Sequence, residues 1–178
     1  MGKKRTLEKF NGLKLGWLHE SIYVIVLIVV LFILFRFIIG LAVVGGDSME
    51  PTLKDGNIVL YLRTVSEYRP GDVISMRVPS GDYYVKRVVA VGEDQVDLID
   101  GEVYVNEDPI TDTWASGQTE KEAGTVIYPY MVREGNVFVL GDNRAVSMDS
   151  RTFGEVNKRQ IKGKILLAIG KGGIRRVE

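Results

Sequence analysis

The dominant feature of the hydrophobic pattern is an apolar run over residues 22–44, broken by charge only at Arg36. Residues 22–35 read IYVIVLIVVLFILF, and residues 37–44 continue the run after Arg36. A helix of roughly 20 apolar residues spans a bilayer. The pattern therefore predicts a transmembrane helix over residues 18–38, with Arg36 near its far end, where the long side chain reaches the headgroups. The remaining apolar residues would open the folded domain. A buried helix of a soluble domain and a cleaved export signal are the alternatives. The second has an apolar core of only about 7–15 residues, shorter than this run.

Beyond residue 44 the period changes to that of strands, with β-branched and aromatic runs between turn signals. NIVLYLR (57–63) follows Asp55-Gly56, DVISMRV (72–78) follows Pro70-Gly71, and YYVKRVVAV (83–91) follows Ser80-Gly81. QVDLI (95–99) and EVYVN (102–106) flank Asp100-Gly101, a two-residue hairpin signal. NVFVLGDN (136–143) and KILLAIG (164–170) complete the set, and the polar, aperiodic residues 108–125 read as an excursion loop. The expected fold is mainly β: an antiparallel coiled β-sheet domain over residues 39–178, one N-terminal transmembrane helix, and a basic N-terminus over residues 1–17.

Charge orients this arrangement. Lys3, Lys4, Arg5, Lys9 and Lys14 precede the run, against Glu8 and Glu20. The positive-inside rule then keeps the N-terminus cytoplasmic and translocates everything after Val44, giving a single-pass cell-membrane protein with an extracytoplasmic domain. Over all 178 residues, Lys plus Arg equals Asp plus Glu at 23 each, so no bulk charge calls for nucleic acid. The absence of cysteine excludes disulfides, thiolate catalysis and sulfur-based zinc sites. The single histidine, His19, lies before the run, which excludes a Ser-His-Asp triad or a His-rich metal site in the β domain.

Any hydrolytic chemistry must then come from Ser, Thr, carboxylate or Lys. Ser48 lies in GGDSMEPT (45–52), directly after the apolar run. By itself a serine in a glycine-rich turn is a turn residue. Lys86 lies inside YYVKRVVAV, with Tyr84, Val88 and Ala90 on its side and Tyr83, Val85 and Val89 on the other. A strand apolar on both faces holds Lys and Arg only with partners or a purpose, and burial lowers a lysine's pKa toward a neutral, proton-accepting amine. The alternative is an edge strand whose charges are solvated. In LGDNRAVSMDSRTFG (140–154) the spacings Asp142…Arg144 and Asp149…Arg151 suggest a loop braced by charge pairs, with Ser147 between them. An aspartic dyad of Asp142 and Asp149 would lack its usual Asp-Thr/Ser-Gly setting.

Taken in order, SMEPTL (48–53), GDVISM (71–76), YVKRVV (84–89) and GDNRAVSMDSRTFG (141–154) resemble the motifs of bacterial type I signal peptidases, over about residues 20–170. The resemblance implies a Ser–Lys dyad, with Ser48 as nucleophile and Lys86 as general base. It implies that Ser147 holds the Lys86 amine in line, that Asp149 and Arg151 brace the site, and that Met49 and Pro51 shape the turn presenting Ser48. The oxyanion would be held chiefly by the Ser48 backbone N–H. Some members add a hydroxyl two residues before the nucleophile, where this chain has Gly46. The chain also has Ala145-Val146 where Asp-Asn often follows the arginine, and Gly92-Glu93-Asp94 where Pro-Gly-Asp is frequent.

The implied function is a membrane-anchored serine endopeptidase that removes signal peptides from exported preproteins, in contact with membrane lipid. It would work as a monomer and without metal or organic cofactor. Two other readings stand beside it: a specialised peptidase maturing a narrow substrate set such as pilins, and a non-catalytic β-domain binder.

Overall fold

The computed structural model describes residues 20–78, 80–122 and 126–177. The expected basic segment 1–17, and the first two residues of the expected helix, lie outside them. The chain divides into two compact units, Met1–Ile38 and Ile39–Glu178. The described part of the first is helix α1, Glu20–Ile38, whose last residues, Leu34–Ile38, are wound as a π-helix. Its 19 residues, apolar except for Glu20, Ser21 and Arg36, are long enough to cross a bilayer, and all but the half-buried Leu34 are exposed.

The second unit is built of strands, as the period-two pattern predicts. An eight-stranded antiparallel sheet contains β1 (Ile39–Val43), β2 (Ile58–Leu62), β3 (Val73–Arg77), β4 (Tyr83–Val91), β9 (Asn136–Leu140), β10 (Val156–Asn157), β11 (Ile161–Gly170) and β12 (Gly173–Arg176). Its order is β1-β2-β11-β3-β4-β9-β10, with β12 paired to β11. A smaller sheet, β7-β6-β5-β8, holds β5 (Gln95–Ile99), β6 (Glu102–Val105), β7 (Asp108–Pro109) and β8 (Tyr130–Met131). The Asp100-Gly101 turn joins β5 to β6 as expected, with φ of 51° and 83° at its two residues; both being positive, the turn's twist matches the strands'. β1 is a strand although its residues continue the apolar run of the helix in the sequence. It forms because all five residues are in register with β2, which pairs the backbone groups along one edge and leaves the other edge open.

β9 is buried throughout because two clusters cover its opposite faces. Val137 and Val139 pack with Ile74, Met76 and Val88, while Phe138 and Leu140 pack with Val89, Ala90, Val96 and Leu98. A register shift between Val88 and Ala90 lets Ala90 pair with Phe138. This bulge corrects the simple alternation: Ala90 joins the Phe138 cluster and does not share a face with Lys86 and Val88. A third cluster of Val44, Met49, Leu53, Val59, Tyr61, Val73 and Ile165 closes the other end of the coiled sheet, with Val85 and Ala42 packed against it.

Candidate active site

The chain leaves β1 into a turn pinned at both ends. Val44 N donates to Asn57 O at 2.8 Å, and Gly56 N donates to Val44 O at 2.9 Å. Between them, Glu50 N donates to Asp47 O and Leu53 N to Met49 O. The Met49 side chain is driven into the core, so the preceding residue, Ser48, faces the open side. Gly46 donates its N–H to Asp55 Oδ1 at 2.8 Å and holds a φ of +80°. A side chain at that φ is strained, so this turn favours glycine and carries no hydroxyl at position 46.

β4 supplies the second group. Residues 83–86 pair with β3 only, and β9 joins the other edge from Arg87 onward. The Lys86 side chain therefore projects where the sheet is open on one side, and its Nζ lies 2.7 Å from Ser48 Oγ. Lys86 is only 3% exposed and sits over the Tyr84 ring, 5.5 Å from its centroid. Burial pushes the amine down to about 8, against smaller opposing pulls from Asp149 and Asp142 and a push in the same direction from Arg151. An amine near 8 is substantially neutral in mildly alkaline water, and in that form Nζ accepts the serine's proton. The two groups share a cleft of about 490 Å³, lined by Ala42, Val44 and Gly45 on one wall and Tyr83, Tyr84 and Val85 on another.

Arg87 faces the opposite way. It forks onto Asp142 with bonds of 2.8 and 2.7 Å and also donates to Gly71 O at 2.7 Å. Both partners are fully buried, so this pair welds β4 to the end of β9. Asp142 therefore belongs to Arg87, and not to Arg144 as the two-residue spacing suggested. Asp149 and Arg151 do pair, at 2.9 and 3.0 Å, and Asp149 also caps α2 (Ser150–Phe153) and accepts from Gly141 N at 3.0 Å. Arg151 in turn donates to Arg144 O and Ser147 O. Ser147 is buried, and its Oγ has no hydrogen-bond partner among the described residues.

Gly141 opens the GDNRAVSMDSRTFG motif. A Cβ there would fall 2.1 Å from Ser147 Oγ and 2.5 Å from Ser48 O. Only glycine lets the residue 141–149 loop lie against both serines, and Asn143 N then donates to Ser48 O at 3.1 Å. The signal was available: a glycine that ends a fully buried strand marks a close backbone approach. Pro51 is exposed in the turn after Ser48. No group of three or more His, Cys, Asp or Glu is placed to hold a metal among the described residues.

The family described as "Signal peptidase, peptidase S26" matches residues 16–169. Signal peptidase I of Bacillus licheniformis is 35% identical over 179 residues, covering 92% of this chain and 91% of that protein. Signal peptidase IB of Staphylococcus aureus (strain COL) is 34% identical over 167 residues, covering 83% and 86%. Among solved structures, a signal peptidase I from Enterococcus faecalis V583 matches with a TM-score of 0.46 and 23% identity, covering 57% of this chain and 98% of that one.

Proposed function

The chain belongs to the signal peptidase family, peptidase S26, and from that premise we propose that it cleaves signal peptides from preproteins with Ser48 as nucleophile and Lys86 as general base. The observation that carries the assignment is the 2.7 Å approach of a buried Lys86 amine to Ser48 Oγ. The neutral amine takes the hydroxyl proton as Oγ attacks the scissile carbonyl. The resulting ammonium then protonates the leaving amine, and an acyl-enzyme remains on Ser48. Water enters, gives a proton to Lys86 and hydrolyses the ester. The backbone N–H of Ser48 is assigned to the oxyanion. Ser147 Oγ makes no hydrogen bond to Lys86 here; its assignment to keeping the amine in line rests on its unpaired hydroxyl lying against Gly141, which also touches Ser48, while Asp149 and Arg151 hold the loop that carries it.

The substrate is assigned an extended pose. β1 pairs with β2 alone, and residues 83–86 pair with β3 alone, so open strand edges border the Ser48 cleft, and strand addition is the binding mode they favour. The lining by Ala42, Val44 and Val85 suits small apolar side chains. The decisive experiment is covalent: an acylating inhibitor should modify the protein once, and the adduct should map to Ser48 by peptide mass spectrometry. Modification elsewhere, with Ser48 untouched, would overturn the assignment.

The proposed topology has a cytoplasmic N-terminus, α1 across the membrane and the β unit outside. Its support is the basic residues before the apolar run and the length of α1. A membrane-impermeant amine reagent applied to intact cells should label lysines beyond residue 50 and spare Lys3, Lys4, Lys9 and Lys14. The reverse pattern would invert the orientation. Lipid contact by the β unit has its own support. Val43, Ile58, Ile169 and Ile174 pair in a row across β1, β2, β11 and β12, and all four are exposed. An exposed apolar row of this kind marks an interaction surface. With both dyad groups in one chain, the enzyme is read as a monomer.

A further inference from the structure

The polar stretch after β7 looks like a dispensable excursion, yet it is fastened to the back of the site. Ser116 N donates to Asp142 O at 2.7 Å, and Arg144 N donates to Ser116 O at 3.0 Å, forming a parallel bridge between Ser116 and Asn143. The Trp114 ring stacks on Arg87, 4.5 Å from the guanidinium carbon. Arg144, 2% exposed, reaches into the same stretch, donating to Asp112 Oδ2 and to Thr119 Oγ1. Its Nε donates in the opposite direction, to Gly141 O at 2.9 Å.

Gly141 is the joint at which these contacts become relevant to chemistry. Its N–H is held by Asp149, its carbonyl by Arg144, and its α-carbon is pressed against Ser147 Oγ and Ser48 O so closely that no side chain fits. Arg144 thus holds the Gly141 carbonyl of the segment against which Ser147 Oγ and Ser48 O pack, and Ser48 Oγ is the group that Lys86 meets. Asp112 carries the only carboxylate recorded on Arg144 among the described residues. A buried guanidinium stripped of its counter-charge does not stay in place, because the uncompensated ion costs several kcal/mol in a low-dielectric interior.

We propose that Asp112 is a positioning residue for the Ser48–Lys86 dyad, acting through Arg144 and Gly141. The inference rests on the reading of Ser48 and Lys86 as the dyad. It makes the excursion loop part of the catalytic apparatus, although the loop touches neither dyad group. The charges that act on Lys86 are Asp149, Arg151 and Asp142, with the Tyr84 ring beside it, and Asp112 is not among them. A change in the ionisation of Lys86 on altering Asp112 thus reports a shift in geometry and solvation, not a direct field effect.

The test is a pH–rate profile of preprotein cleavage by the full chain in detergent, with thermal unfolding followed by circular dichroism. Asp112→Asn should lower kcat about 10- to 100-fold with KM changed less than about twofold, as expected for a group that orients the base. The midpoint of the rising limb should move upward toward the ordinary lysine value as the loosened site admits water. Glu155→Gln, which removes the Arg133 pair beside β10, should leave kcat and midpoint unchanged. A folded Asp112→Asn protein with native kcat, or with a loss of kcat and an unmoved midpoint, overturns the proposal. If Asp112→Asn does not fold, Thr119→Val decides, because it deletes only one hydroxyl contact to Arg144: a lower kcat with a raised midpoint supports the proposal, and native values overturn it. Cleavage by the wild type and its absence in Ser48→Ala, measured alongside, establish the dyad reading separately.

Discussion

Ser48→Ala abolishes preprotein cleavage, by a factor of at least about 10⁴, because the covalent intermediate has no atom on which to form. The substitution removes one half-exposed hydroxyl from a turn whose shape is set elsewhere: by Met49 in the core, by the Val44–Asn57 and Gly56–Val44 backbone bonds, and by Asn143 on the Ser48 carbonyl. The fold should therefore persist, with a lowered melting temperature, since the substitution takes from the buried Lys86 amine its 2.7 Å partner, a loss worth about 1–3 kcal/mol. Ser66→Ala, in an exposed segment between β2 and β3, serves as the control and should be silent. The measurement is cleavage of a radiolabelled preprotein by each purified variant, with unfolding curves in parallel. Cleavage by Ser48→Ala at close to the native rate would end the Ser–Lys assignment.

How much of this was legible in the sequence differs from element to element. The strands from β2 to β6, β9 and β11 follow from β-branched runs between turn signals, because the alternation required by a coiled sheet is written residue by residue. β1 was hidden because Ile39, Leu41 and Val43 continue a helical apolar run and become a strand only by pairing with β2. The Val88–Ala90 register shift was also hidden, since a bulge is set by the partner strand and leaves no mark on a run in which every residue is apolar. At the site, Ser48 and Lys86 stood out by residue type in a chain without usable His or Cys. What spacing could not give was partnership. Asp142 and Arg144 are two residues apart and would share a face in a regular strand, but the chain bends at Asp142 and turns at Arg144, and the two side chains go to Arg87 and Asp112. Trp114, lone and aromatic in a polar stretch, was the available clue that residues 110–120 pack against something.

Lys86→Arg keeps the positive charge and loses the enzyme. A guanidinium remains protonated at any workable pH and cannot accept the serine's proton, so the expected loss is that of a general base, about 10²- to 10⁴-fold or more. The larger head group must also enter a space where Nζ sits 2.7 Å from Ser48 Oγ against the Tyr84 ring. In the wild type the rate should rise with pH through a midpoint near 8, the value to which burial lowers Lys86 from 10.5. The same shift sets a stability trend. Below about 8 the amine is protonated in folded and unfolded chains alike, and the folded state bears the full cost of a buried ammonium. Between about 8 and 10.5 the folded amine is neutral while the unfolded one still holds its proton, so this group's contribution to stability improves as pH rises through that window. Lys86→Met, which removes the charge at similar volume, should be inactive yet no less stable at pH 7, since replacing a buried ion by an apolar side chain is often neutral or stabilising. Arg87→Lys separates the neighbours: it keeps a cation for Asp142 but loses the fork, so it should be destabilised while retaining measurable turnover. If Lys86→Arg cleaved at close to the native rate, or if the wild-type profile stayed flat through pH 8, Lys86 would be a structural cation and another group would have to take the proton from Ser48.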